Sequence, residues 1–366
     1  MKAIVIGAGV VGSAVAYRLA EAGAGVTIVE GNRVGGGTSG ISFAWTNSNN
    51  KHPRPYHDLN VAGMKAHAAL ADEFRDTPWL HQSGSLEWCR EAERTVQREK
   101  VERLKSWGYA IEYISRKELS ELEPDVNLDL VGEAPITFCP DEGWIDPVVY
   151  ADAMVKAAVK RGAVLKTGSK VVNVETRNGS ASGVRTEDGA LHEGDVVVNC
   201  GGRWADRVAD DPSFRIPLAP TVGFIVFTPP VATSVARPLH TPGVHLRPDG
   251  AGRLMMRKNE MDDMVSLDTT PSASMPQSLE VMRRAAELLP ALKNVTPEAA
   301  RITARPIPKD GLSAVGPVPR VKNYYVVVTH SGVTLSPYLA KVAADEIARG
   351  KLHPELDDFR PSRFFN

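Results

Sequence analysis

Lys2-Ala-Ile-Val-Ile-Gly7-Ala-Gly9-Val-Val-Gly12, continuing to Val26-Thr-Ile-Val-Glu30, reads as a short buried strand, a glycine turn, a helix and a second strand ending on a carboxylate. Each part has a separate job in holding a dinucleotide. Gly7 lets the chain turn sharply off the strand, Gly9 removes the side chain where a pyrophosphate approaches the backbone, and Gly12 lets the helix lie close to the sheet. The helix N-terminus offers free N–H groups and a positive dipole end to phosphates. Glu30 can accept both hydroxyls of an adenosine ribose and would repel a 2′-phosphate, which disfavours NADP. The helix carries Val11, Val15, Leu19 and Ala22 at helical spacing, so the glycines stand in the strand–turn–helix context that such a fingerprint requires. On these residues alone, FAD and NAD both remain open.

Working outward, Gly35-Gly-Gly-Thr38-Ser39-Gly40 follows Glu30 and can donate backbone and hydroxyl groups to a longer dinucleotide. Residues 56–75 have helical periodicity, with Leu59, Met64, Leu70 and Phe74 facing inward, and residues 90–107 read as a charged surface helix. Asp146 and Pro147 suit the N-cap and first position of a helix ending near Arg161-Gly162. Strand signals from Ala163 to Cys200 alternate with turn signals and read as a meander, ending in a second glycine turn, Gly201-Gly202-Arg203-Trp204. From Pro217 to about Ala304 proline and methionine rise, which fits a separate, mostly antiparallel domain. Strand Tyr324–Thr329, the turn His330-Ser331-Gly332-Val333-Thr334-Leu335 and a helix from Pro337 to Arg349 then repeat the opening pattern.

The 366 residues allow two domains. Lys and Arg number 43 against 44 Asp and Glu, a net charge of −1 with no basic stripe, which argues against a nucleic-acid partner. Cys89, Cys139 and Cys200 are far apart, with no metal-ligand spacing, so no metal site is expected. No apolar run reaches the about twenty residues of a membrane span, and Met1 leads almost directly into the first strand. The expected location is cytoplasmic.

GAGVVG with Glu30, GGGTSG, NCGGRWA, RPIPKDGLSAVG and THSGVTLSP, in that order across nearly the whole length, resemble the D-amino acid oxidase, glycine oxidase and sarcosine oxidase (DAO) family of FAD-dependent oxidoreductases. The resemblance implies an α/β fold of the glutathione-reductase type: a Rossmann-like FAD-binding domain (1–85, 140–215 and 305–366) with an inserted, mostly antiparallel α+β substrate domain (86–139 and 216–304). It selects FAD over NAD. Carried over by position, Gly7, Gly9, Val10, Val11 and Gly12 would hold the pyrophosphate, and Glu30 with Gly31 the ribose. Thr38 and Ser39 would add contacts toward the phosphates and flavin, and Val172 would meet the adenine. Cys200, Gly201, Gly202 and Trp204 would line the cofactor, and Ser331, Gly332, Val333, Thr334 and Leu335 would lie against the flavin ring. The C-terminal motif lacks the cysteine through which some relatives attach flavin, so FAD is expected to be noncovalent.

The resemblance also assigns the substrate side. Arg305 of the RP dipeptide would pair with a substrate carboxylate through its planar guanidinium. His245 falls where glycine oxidase relatives carry a tyrosine, a departure that argues against simple glycine or D-alanine oxidation. It would bind a second polar group or accept an amine proton, or be an ordinary buried histidine. Arg54 is a further substrate-side candidate, in a polar stretch after the cofactor loop. The implied activity is oxidation of the C–N bond of a small carboxylated amine by hydride transfer to flavin N5, followed by imine hydrolysis. Alternatives are a hydroxy-acid substrate and a flavin-binding subunit that needs a partner chain. The electron acceptor, oxygen or another, and homo-oligomerisation stay open.

Overall fold

The computed structural model describes residues 1–365 except 210, 212 and 213; these three and Asn366, which fall within the expected FAD-domain ranges, lie outside the described residues. Among the described residues a six-stranded sheet has the order Ala314–Pro317, Tyr324–Val328, Val196–Asn199, Lys2–Ile6, Gly25–Val29, Val164–Lys166. All neighbours are parallel except the first pair. Such strands need cover on both faces, and they have it. Ala3 and Val5 point into a core shared with helices Val10–Glu21, Pro147–Lys160 and Gly332–Arg349. The alternate residues Ile4 and Ile6 point the other way, into a core shared with Val174 and Val184 of an antiparallel meander, Val171–Arg177, Ser180–Thr186 and Leu191–Glu193.

A second sheet of eight strands runs Ala299–Ala304, Val222–Phe227, Leu254–Arg257, His245–Pro248, Leu239–His240, Ser85–Trp88, Ile136–Cys139, Glu112–Ile114. It is antiparallel apart from the pairing of Leu239–His240 with Ser85–Trp88. Helix Pro276–Leu288 buries Val281, Met282, Ala285 and Leu288 against Phe224 and Val226 of this sheet. Trp45–Thr46, Gly143–Ile145 and Leu80–His81 form a small sheet of their own. This is the mixed α/β fold expected from the sequence.

Three local expectations are corrected. Residues 163–200 are not one meander: Val164–Lys166 and Val196–Asn199 belong to the parallel sheet, and only the segment between them is antiparallel. Asp146 occupies the N-cap position but makes no capping bond, because its carboxylate binds His81 Nε2 at 2.9 Å instead. The last helix starts at Gly332, with Pro337 inside it. Proline there leaves the Val333 carbonyl without its i+4 N–H, and His67 Nε2 supplies the missing hydrogen bond at 2.7 Å.

Candidate active site

The opening turn is closed by backbone against backbone. Gly7 has φ +92°, and a Cβ there would stand 2.8 Å from the Cys200 carbonyl oxygen. A Cβ at Gly12 would fall 2.0 Å from the Gly7 oxygen, so the helix rests directly on the turn. At Gly9 the Cβ would meet Ser39 Oγ at 2.9 Å, and that hydroxyl accepts the Val10 N–H at 3.1 Å. Ser39 thus caps the helix that it was expected to supplement, and its own hydroxyl proton stays available toward a phosphate. Val10, Val11 and Gly12 lie in the first turn, where N–H groups precede the internal hydrogen-bond ladder.

Glu30 does more than end a strand. Oε2 accepts the Ala8 N–H at 2.7 Å and Oε1 the Asn32 N–H at 2.8 Å, so one carboxylate ties the glycine turn to the chain beyond the second strand. A Cβ on Gly31 would be 3.4 Å from Lys170 Cα, and the Ser169 N–H donates to the Glu30 carbonyl at 2.8 Å. Two residues on, Val172 sits at a register shift between the pairs Val171–Thr186 and Asn173–Arg185, so it stands outside the regular ladder. In the second glycine turn, the Gly201 N–H donates to Asn199 Oδ1 at 3.0 Å, and Asn199 Nδ2 donates to Ala205 O and Tyr324 Oη. Gly202 takes φ +56°, and the half-exposed Trp204 ring lies over Gly37, 3.0 Å from a Cβ built there.

The C-terminal turn meets the first one. A Cβ at Gly332 would stand 3.3 Å from Val11 Cγ2, although the two residues are far apart in sequence. Tyr56 donates to Ser331 Oγ at 2.8 Å, and Thr334 Oγ1 accepts the Asn47 N–H and donates to the Trp45 carbonyl, both at 3.3 Å. Leu335 is fully buried beneath, while Val333 and Gly332 stay partly accessible. Gly63 lets helix Arg54–Glu73 approach, since a Cβ there would be 2.4 Å from the Thr334 oxygen. These features fit FAD. Two helix N-termini converge, side chains are excluded at Gly9, and the Glu30 carboxylate stands just past the end of the second strand.

Near Arg305, Thr38 Oγ1 donates to the Ala304 carbonyl at 2.8 Å, so the Gly35–Gly40 loop is bonded to the residue just before Arg305. Arg305 lies across strand Val222–Phe227, its Nε 3.0 Å from a Cβ built on Gly223, and its Nη2 bonds to Asp262 Oδ2. Arg257 Nη2 binds the same oxygen at 2.9 Å, and Asp262 Oδ1 accepts the Phe224 N–H at 2.7 Å. His245 pairs across strands with Arg257; burial, then Arg257 and Lys258, push its imidazole down to about 3. Its Nδ1 is buried without a partner, and its ring centroid is 5.1 Å from that of His240. His330 is held down to about 3 by the surrounding protein and then by Lys51, Arg305 and Arg257.

Burial lowers Lys51 to about 8 against the pull of Glu142. Glu142 is itself fully buried and raised to about 7 by burial; it binds Trp45 Nε1 at 2.9 Å and the N–H groups of Ser48 and Asn49. It therefore shapes the segment that carries Lys51. Arg54 is not part of this group: it is 48% exposed, paired with Asp58 at 2.8 Å and set over Trp107. Among the described residues no group of three or more histidine, cysteine or carboxylate side chains could hold a metal ion, and no helix is long and apolar enough to cross a membrane.

Comparison with known proteins adds four findings. The family model DAO, FAD dependent oxidoreductase, matches residues 2–346. Glycine oxidase of Bacillus subtilis (strain 168) is 24% identical over 371 residues, covering 99% of this chain and 97% of that protein. An opine oxidase subunit of Rhizobium meliloti is 25% identical over 378 residues, covering 98% of this chain and 96% of that protein. The crystal structure of glycine oxidase from Geobacillus kaustophilus has the same fold, with a TM-score of 0.86 at 22% identity over 99% of this chain and 98% of that one.

Proposed function

Because the chain belongs to the DAO family of FAD-dependent oxidoreductases, we propose that it oxidises the C–N bond of an amino acid or N-substituted amino acid to an imine, which water hydrolyses. When bound, FAD supplies the hydride acceptor, N5 of its flavin. Gly7, Gly9, Gly12 and Glu30 hold the dinucleotide, and the turn from Ser331 to Thr334 presents N–H groups to the ring.

Arg305 carries this reading. Asp262 takes one edge of its guanidinium, leaving the other N–H groups for a carboxylate, and the Thr38–Ala304 bond ties its position to the cofactor loop. A carboxylate held by such a fork has few orientations, which aims the α C–H in one direction. His245, neutral at ordinary pH and partly accessible as a residue, is suited to stand beside the substrate amine as an uncharged polar ring.

The test is an anaerobic screen of amino acids and N-alkyl amino acids, read at the flavin absorption band. Bleaching by a carboxylated amine, with imine-derived carbonyl product, is expected; bleaching by hydroxy acids alone would refute the amine reading. The likeness to a protein named as an oxidase subunit supports a second reading, a chain that turns over only with a partner. A yellow isolated chain that no amine bleaches would favour it.

A further inference from the structure

Two guanidinium groups converge on one carboxylate. Asp262 is the only carboxylate paired with Arg257 or Arg305 among the described residues, and its Oδ2 receives Nη2 from both. The second hydrogen of Arg257 Nη2 goes to Asn259 Oδ1 at 2.7 Å. No acceptor among the described residues meets Nε or Nη1 of either arginine, and the side chains are 21% and 26% exposed, so these N–H groups face accessible space. Two hydrogen bonds to one oxygen keep the two Nη2 atoms within about 6 Å of each other.

The charge is unbalanced. Asp262 offsets one arginine, and Lys51 adds to the positive field that Arg305 and Arg257 exert on His330. A single substrate carboxylate on Arg305 leaves Arg257 with open donors and only Asp262, shared with Arg305, as its counter-charge. The flavin does not need that charge, because the N-terminus of helix Gly332–Arg349 faces the ring under the reading above. Nor do the neighbouring imidazoles use it, since His245 and His330 are held neutral by their surroundings.

We propose that the site takes an amine flanked by two carboxylates, Arg305 holding one and Arg257 the other, with Asp262 as the positioning residue that sets the two guanidinium groups side by side. The assignment rests on the reading of Arg305 as a carboxylate anchor, and it narrows the substrate class to short dicarboxylic amines.

A binding test separates it from the oxidation itself. Flavin-loaded protein is titrated with oxydiacetate, which has an ether oxygen in place of an amine, and with methoxyacetate, the same molecule lacking one carboxylate. Perturbation of the flavin band gives each Kd. Oxydiacetate is expected to bind about tenfold tighter or more, the order of one added charge-assisted contact. Arg257→Gln should remove most of that preference, whereas Arg305→Gln should weaken both ligands. Arg257→Lys keeps the charge beside Asp262 but loses the planar fork, so it should hold flavin and still lose most of the preference. Equal affinities in the unaltered protein, or a preference unchanged in either Arg257 variant, would overturn the proposal. Preferential oxydiacetate binding without bleaching by any amine would sink the oxidation reading and leave this site standing; equal binding with bleaching by a monocarboxylic amine would do the reverse.

Discussion

Replacing Glu30 by glutamine tests whether its carboxylate holds a ribose or only braces the turn. The carboxylate accepts the N–H of Ala8 at 2.7 Å and of Asn32 at 2.8 Å, one on each oxygen. An amide has one oxygen, so Glu30→Gln satisfies one of these donors and turns an NH2 toward the other. Losing the charge on the bond to the part-buried Ala8 N–H, and the bond to the exposed Asn32 N–H, costs about 1.5–3 kcal/mol in the apoprotein. A ribose hydroxyl donating to the same carboxylate would lose a comparable amount on top, so the FAD Kd should rise about 10–100-fold. Urea denaturation of the apoprotein reads the first quantity, and titration of apoprotein with FAD, followed by flavin fluorescence, reads the second. A destabilised apoprotein whose FAD affinity moves by less than about threefold would refute the ribose contact and leave Glu30 as a brace.

Three further outcomes follow from named contacts. Arg305→Ala should raise KM for a carboxylated substrate by about 100-fold while flavin stays bound, and unchanged kinetics would remove Arg305 from the site. Gly12→Ala drives a Cβ to 2.0 Å from the Gly7 oxygen, so the helix must lift; expected are a loss of about 3 kcal/mol and of flavin, and a variant as yellow and stable as the parent contradicts the packing. Burial lowers His67 to about 4 in the folded chain against about 6.5 unfolded, so the unfolded state binds the proton first. The neutral ring's contribution is complete above pH 6.5 and is lost as pH falls toward 4, amounting to about 2 kcal/mol at pH 5. His67→Gln keeps a donor for Val333 but does not titrate, so its urea stability should fall less between pH 7 and 5; an equal fall would show that another group governs the acid response.

What the sequence made legible was backbone geometry. Gly7, Gly9 and Gly12 could be read because their spacing encodes a demand that no other residue type meets, and the structure shows the collisions a Cβ would cause. Pro337 misled because proline usually opens a helix; here His67, from a distant helix, replaces the bond that proline cannot make. Asp146 misled for a similar reason, since a cap signal is local and the competing His81 is not. The substrate side was harder. Arg305 stood out by its motif, but Asp262, Arg257, Lys51 and His330 become neighbours only when strand order and a short helix bring them together. Glu142 gave no pattern at all, because its role is set by burial and by donors from separate stretches of chain.

The strand order of the parallel sheet also governs when the cofactor site can exist. Lys2–Ile6 pairs with Val196–Asn199, which in turn pairs with Tyr324–Val328. During synthesis the opening turn therefore emerges long before the strand and helix that complete its cradle, an interval of tens of seconds at roughly 5–20 residues per second. On the proposed assignment of the site, until Gly332 reaches Val11 the nascent chain has an adenosine-binding half with nothing to hold a flavin. FAD capture is thus a late event in the life of the polypeptide, and chains released early should leave the ribosome colourless.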